Sequence, residues 1–357
     1  MKVLITAPSL DETRNVSGIS TVARQIIQYS SGEFDHFEAG RKDGSENKLL
    51  WLARQLVLPL RFLQRIRSSS PDVVHINTAM TVLAVCRDAV LVRCARFTGT
   101  PVILSVHGGE NLRERFNSSH IEKMAGRMLG RAERVLVLSD DERTLLRERW
   151  PAIDLDVLPN AISLGAVEAR TERNGPPVVV FLGRMHQSKG LDEVIDACRI
   201  LKSGSSEFLF RAYGDGPMRK SFVGELQRVL GSSFEYGGVV SGTEKWKALA
   251  GSDIFVLPSA FEGLSMALLE AMAAGCIVVA SDIPAIRAII RDGQNGYLVE
   301  PKNSDLLAAV LGRLLNQIGG CKPLRENAAA TIRDHFEIGA YVEKLERIYD
   351  EVSPRDK

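Results

Sequence analysis

Short runs of β-branched and other apolar residues recur along the chain, separated by longer stretches that follow a helical period. Residues 2–6 (KVLIT), 72–76 (DVVHI), 101–105 (PVILS) and 134–138 (RVLVL) form a first set of predicted strands. A second set follows at 178–182 (VVVFL), 208–212 (FLFRA), 254–257 (IFVL) and 277–280 (IVVA). Segments 81–97, 190–202, 217–229 and 264–274 have helix-like composition. This alternation predicts parallel sheets joined by crossover helices. Strands that are apolar throughout, rather than at every second position, predict sheets covered on both faces.

The series pauses at 161–177 (AISLGAVEARTERNGPP), a polar stretch ending in Gly175-Pro176-Pro177 just before a new strand, as an interdomain linker does. The expected fold class is α/β, with two Rossmann-like doubly wound domains facing across a cleft. Their expected bounds are 1–165 and 166–338, followed by a C-terminal helix at 339–357. In that last segment Tyr341, Val342, Leu345, Ile348, Tyr349 and Val352 share one face, so the helix must dock, and either domain would serve. Ligands of such folds bind beyond the carboxyl ends of the strands, which directs attention to the loops there.

Composition narrows the classes. The 357 residues suffice for two domains, each with its own core, and 45% hydrophobic with 25% charged residues is a globular profile. A net charge of +1 gives no general attraction to nucleic acid. The cysteines at 86, 94, 198, 276 and 321 are odd in number and include no CxxC pair, so neither a disulfide framework nor a zinc site is expected. MKVLITAPSL lacks the pattern of a signal peptide, and no run of about 18 apolar residues occurs, so a cytoplasmic location is expected.

Three loops after strands carry candidate chemistry. In FLGRMHQSKG (181–190) a strand ends, Gly183 turns the chain, and Arg184 and Lys189 follow. Two cations there suit a diphosphate, Arg as a bidentate fork and Lys as a point charge, or they are solvated loop charges. In AYGDGP (212–217), Gly214 and Gly216 allow close backbone approach to a ligand or make an ordinary turn. In PSAFEGLSMALLEAMAAG (258–275), Pro258 and Gly263 flank a loop feeding a helix that is expected to start near Leu264. Its first amides, near Leu264 and Ser265, suit a phosphate. Glu270 lies inside that apolar helix and needs a hydrogen-bonding partner: a ribose diol, neighbouring backbone or an arginine.

Glu262, seven intervening residues and then Glu270 resembles the paired-glutamate motif of family 4 retaining glycosyltransferases, which have the two-Rossmann GT-B architecture. GRMHQSKG (183–190), YGDGP (213–217), FVLPSAFEGLSMALLEAMAAGCIVVAS (255–281) and DGQNGYLVEP (292–301) match that family in order and spacing. The similarity is dense over about 178–301 and thinner elsewhere. The resemblance implies that Arg184 and Lys189 bind the donor diphosphate, Glu270 the ribose hydroxyls and Glu262 the transferred sugar. It also implies that Gly214 and YGGVV (236–240), through Val240, lie along the nucleoside. Gly263, Leu264 and Ser265 then belong to the donor site; Ser265 stands where the family often has Pro.

In the first half, NVSGIS (15–20) keeps Gly18, with Ser17 beside it, where family members often carry two glycines near the donor phosphates. SVHGGE (105–110) places His107 at the end of a strand. The resemblance suggests contact with the transferred sugar; satisfaction by loop backbone is the alternative. No clustered carboxylates accompany it, so no metal ligand is expected there. Ser139 and Glu142 in SDDE read as a capping box, and Asn160 as part of a hinge.

Segment 48–70 (KLLWLARQLVLPLRFLQRIRSSS) differs in kind. It carries Lys48, Arg54, Arg61, Arg65 and Arg67, an apolar set including Trp51, and no acid; Pro59 is expected to kink or divide it. The segment fits either shallow insertion into an anionic membrane surface, hence a peripheral location, or a domain helix with its apolar side in the core. The resemblance thus implies a metal-independent retaining glycosyltransferase using a nucleotide-diphosphate sugar such as a UDP-sugar. A glycan or lipid-linked acceptor is expected. A sugar-nucleotide epimerase or hydrolase, and a non-catalytic nucleotide-sugar-binding subunit, are the alternatives. The absence of GxGxxG after the first strand sets a dehydrogenase aside.

Overall fold

The computed structural model of the protein describes residues 1–11, 17–40, 48–108, 110–167 and 175–353. It divides into two compact units, Met1–Ala161 together with Ile338–Lys357, and Ile162–Glu337. The first contains one six-stranded parallel sheet: β1 (Lys2–Ala7), β2 (Glu33–Glu38), β3 (Val73–Thr78), β4 (Val102–Val106), β5 (Arg134–Val137) and β6 (Leu155–Val157). Their spatial order is β2-β1-β3-β4-β5-β6. The second unit contains β7 (Val178–Leu182), β8 (Leu209–Tyr213), β9 (Phe234–Tyr236), β10 (Ile254–Leu257), β11 (Ile277–Ser281) and β12 (Tyr297–Val299). Their order is β12-β11-β10-β7-β8-β9.

All eight predicted strands are present, and each sheet holds two more. The four additional strands, β2, β6, β9 and β12, are the four sheet edges. An edge strand pairs on one side only and tolerates polar residues. β2 reads EFDHFE with Phe37 alone buried, and the other three are three residues long. Central β3, β4, β10 and β11 are buried throughout.

The strand order of the second sheet reverses between β7 and β10, and that of the first between β1 and β3. At such a reversal the loops leaving two adjacent strands diverge and open a crevice at the carboxyl ends. Of the linker expected at 161–177, residues 168–174 lie outside the described residues. The second unit begins at Ile162, whose amide donates to the Phe336 carbonyl at 2.8 Å, and the chain rejoins the first unit at Ile338.

Helix Lys48–Ser69 continues through Pro59 rather than dividing there. Leu58, Phe62 and Ile66 recur every four residues and are buried, and Phe62 meets the Phe37 ring edge-on at 4.9 Å. Tertiary packing on β2 thus offsets the lost backbone hydrogen bond. Ser139 caps helix Asp140–Arg149 by accepting from the Glu142 amide, while the Glu142 carboxylate accepts from the Leu138 amide, one residue short of a reciprocal box.

The C-terminal helix Ile338–Val352 packs in the first unit against helix Gly18–Tyr29, burying Tyr341, Val342, Leu345, Ile348 and Tyr349. Tyr349 is fully enclosed, its hydroxyl 2.6 Å from His75 Nδ1, and His75 Nε2 lies 2.7 Å from Ser105 Oγ. Replacing Tyr349 by Phe leaves the imidazole nitrogen without its partner while preserving the ring's shape. The expected cost is about 1–3 kcal/mol, measured by denaturant unfolding; unchanged stability contradicts this role for the bridge.

Candidate functional site

The loop after β7 carries Arg184 and, in a short turn ending at Gly190, Lys189. Gly190 has φ +67°, and a Cβ there would run into the Pro258 carbonyl oxygen in the loop after β10. The Ala260 amide donates to the Ser188 carbonyl at 2.9 Å, joining the same two loops. The loop after β8 is tied in as well: the Met185 amide donates to Asp215 O at 2.9 Å, and a Cβ on Gly214 (φ +122°) would strike Gly183 O. The Gly214 amide donates to Gly238 O at 2.7 Å, and the Tyr236 hydroxyl donates to Gly214 O at 2.8 Å. Segment 236–240 therefore lies against the Gly214 turn, with Val240 half-buried ahead of helix Gly242–Ala250. Close backbone packing, not side-chain bulk, fixes these loops relative to one another.

On this frame Lys189 Nζ donates to Glu262 Oε1 at 2.5 Å, and Ser259 Oγ donates to the same oxygen at 2.7 Å. Glu262 is 7% exposed, so the pair and hydroxyl compensate a nearly buried carboxylate. Arg184 is exposed, and its guanidinium has no partner among the described residues. Gly263, Leu264 and Ser265 precede helix Met266–Ala273, which begins two residues later than expected. The Ser265 side chain makes no capping bond to the first-turn amides.

Glu270, 3% exposed, faces a different partner: Lys245 Nζ, from helix Gly242–Ala250, lies 2.5 Å from its Oε1. Sequence reasoning missed this lysine; nothing about position 245 marks it, since only the packing of two helices brings it to Glu270. Ser259, three residues before Glu262, was legible as a polar residue in the loop but drew no role. Among the described residues, no group of three or more His, Cys, Asp or Glu is placed to hold a metal ion.

Gly18 and His107 belong to the first unit. Gly18 starts helix Gly18–Tyr29, whose N-cap Ser17 accepts from the Ser20 amide; residues 12–16 and Gly109 lie outside the described residues. His107 follows β4, its amide donating to Thr78 O at 2.8 Å and its Nε2 lying 2.6 Å from Asn77 Oδ1. Asn77, a polar residue inside a buried strand, is the third residue that sequence reasoning passed over.

Burial pushes the His107 pKa down to about 4; burial, with a smaller contribution from His107, pushes His75 down to about 3. The unfolded chain binds these protons near 6.5, so the histidines' contribution to stability is full above about 6.5 and lost as pH falls toward 4 and 3. Glu142, raised by burial to about 7, acts in the opposite sense: its contribution is present below about 4.5 and lost as pH rises through 7. Two imidazoles outweigh one carboxyl, so the thermal midpoint of the first unit is expected to climb between pH 4.5 and 6.5. A midpoint that falls steadily over that interval contradicts the assignment.

Two family profiles match the chain: "Glycosyl transferase 4-like domain" over residues 31–161 and "Glycosyl transferases group 1" over residues 167–331. Alpha-D-kanosaminyltransferase from Streptomyces kanamyceticus is 25% identical over 327 residues, covering 85% of this chain and 83% of that protein. Phosphatidyl-myo-inositol mannosyltransferase from Mycobacterium tuberculosis is 29% identical over 224 residues, 58% of each chain. Among solved structures, sucrose-phosphate synthase from Thermosynechococcus elongatus superposes with a TM-score of 0.82 at 16% identity, over 98% of both chains. Anabaena HepE, in complex with UDP and glucose, superposes with 0.78 at 18% identity, over 98% of this chain and 99% of that one. At those identities the likeness carries the fold, which is GT-B. With one profile on each of its two sheets, the chain belongs to the group 1, family 4-type glycosyltransferases.

Proposed function

We propose that the protein moves a sugar, with retention at the anomeric carbon, from a nucleotide-diphosphate donor to a glycan or lipid-linked acceptor in polysaccharide or glycolipid synthesis. The observation that carries this reading is the arrangement at the strand-order reversal of the second sheet. Arg184, whose guanidinium has no partner among the described residues, the Lys189–Glu262 pair and a helix start without a side-chain cap leave from β7 and β10, which lie side by side. Departure of the diphosphate puts negative charge on its oxygens; Arg184, Lys189 and the amides of Leu264 and Ser265 are fixed positive groups suited to it. On this reading Lys189 exchanges part of its bond to Glu262 for phosphate, freeing that carboxylate for the transferred sugar. Glu270 holds the ribose diol while Lys245 compensates its charge, and Gly214 and Val240 border the nucleoside. His107 contacts the transferred sugar, and Gly18 lies near the phosphates. Because these cations supply the charge, turnover is expected to persist in EDTA.

HepE binds UDP, which favours a UDP-sugar here. A thermal-shift panel of UDP-, GDP- and ADP-sugars tests the base. Arg184→Ala with Lys189→Ala is expected to abolish the shift in that panel and, in a transfer assay, to lower turnover by about 10²–10³ per lost contact. Wild-type donor affinity in that variant defeats the diphosphate role. Product analysis separates transfer from hydrolysis or epimerisation.

A peripheral contact with anionic membrane belongs to the same reading. Leu56 and Leu60 on helix Lys48–Ser69 are 81% and 69% exposed, next to exposed Arg61 and Arg67, whose guanidinium groups have no partner among the described residues. Helix Val82–Phe97 packs alongside and continues the face through Leu83, Val90 and Phe97, spaced seven residues apart, with Arg93 exposed. The one acid on either helix, Asp88, is buried against Arg87. Apolar side chains ringed by unpaired arginines suit a lipid surface of negative charge. The side chains of Lys48, Trp51 and Arg54 lie outside those described, and among the described residues no helix is long and apolar enough to cross a membrane. Flotation with anionic vesicles is expected to capture the protein at low salt and release it at high salt; absence of binding at both rejects the contact.

A further inference from the structure

Asn77 is the penultimate residue of β3, its side chain almost wholly buried and every polar atom of that side chain engaged. Its Nδ2 donates to the Thr6 carbonyl of β1 at 2.9 Å, and its backbone amide donates to Thr6 Oγ1 at 3.3 Å. A carbonyl oxygen only accepts, so the group facing Thr6 is the amide NH2. The atom facing His107 Nε2, at 2.6 Å, is therefore the amide oxygen. That oxygen also only accepts, so the proton of the neutral ring sits on Nε2 and the lone pair on Nδ1. The opposite tautomer sets two lone pairs against each other at hydrogen-bond distance in a buried site. His75, two residues earlier on the same strand, offers His107 no alternative partner, because its nitrogens are taken by Tyr349 and Ser105.

We propose that Asn77 is a positioning residue that locks His107 in its Nε2–H form, so that the ring presents an acceptor, Nδ1, to a hydroxyl group of the transferred sugar. The proposal rests on the reading of His107 as a sugar contact and goes beyond it in assigning which atom makes the contact and what fixes it. Among the described residues Nδ1 has no partner. An acceptor in this place favours a sugar bearing a free hydroxyl opposite it and disfavours a deoxy sugar, whose C–H cannot donate. Held in this form, His107 has no proton to give through Nδ1, so it does not serve as the acid for the departing phosphate.

The test is imidazole ¹⁵N NMR on the full-length protein labelled at histidine, with the His107 signals assigned by their loss in His107→Gln. The wild-type spectrum is expected to show a protonated Nε2 and an unprotonated Nδ1 near neutral pH. Asn77→Leu is expected to release the ring into mixed tautomers and lower turnover by about 100-fold, with the nucleotide sugar selected by the thermal-shift panel. The corresponding deoxy sugar donor should narrow the gap between wild type and Asn77→Leu. A wild-type spectrum with the proton on Nδ1 overturns the proposal without recourse to any variant. So does a folded Asn77→Leu protein with unchanged tautomer and turnover. Wild-type turnover in His107→Ala instead removes the sugar-contact reading on which the proposal stands, even if the spectrum shows the lock.

Discussion

Two carboxylates in the segment after β10 are almost withdrawn from water, and each is tolerated because a lysine from another element reaches it. An unpaired charge in either place would cost several kcal/mol. This requirement dictates much of the second unit. Lys189 meets Glu262 only if the loop after β7 lies beside the loop after β10, which needs those strands adjacent although two others intervene in sequence. Lys245 meets Glu270 only if helix Gly242–Ala250 packs on helix Met266–Ala273. The glycines at 190 and 214 permit the backbone contacts that hold this arrangement.

Opposite charges at contact distance give the site a second property. A lysine that neutralises a carboxylate also holds it in one rotamer, so both groups are oriented before a ligand arrives and little reorganisation is left to binding. In the first unit, a neutral hydrogen-bond chain does comparable work, with Thr6 fixing Asn77 and Asn77 fixing His107. The two units therefore fix polar side chains by different physics: charge pairing at Glu262 and Glu270, and dipolar bonding at Asn77 and His107.

How much was legible in the chain follows from what each residue needs. Central strands such as VVVFL and IVVA must be apolar on both faces and so declare themselves; edge strands such as EFDHFE need not, and they went unseen. Glu262, Glu270, Arg184 and Lys189 stood out because charges in otherwise apolar or glycine-bounded contexts are conspicuous. Lys245 stood out in no way, because an exposed-looking helical lysine becomes a partner only through tertiary packing. His75 and Asn77, two polar residues at alternate positions of DVVHINT, did carry a signal: one face of a buried strand that is polar must be satisfied by something. The helix expected to break at Pro59 continues because its buried leucine and aromatic contacts with β2 outweigh the missing donor.

Tyr349 reaches His75 across 274 positions of sequence, and the helix that carries it supplies part of the first unit's core. On the ribosome the chain emerges in order, so residues 1–161 must remain with an uncovered apolar surface while the whole of 162–337 is made and folds. The first unit's core is thus closed by the fifteen residues of the helix Ile338–Val352, which are also the last part of it to be made.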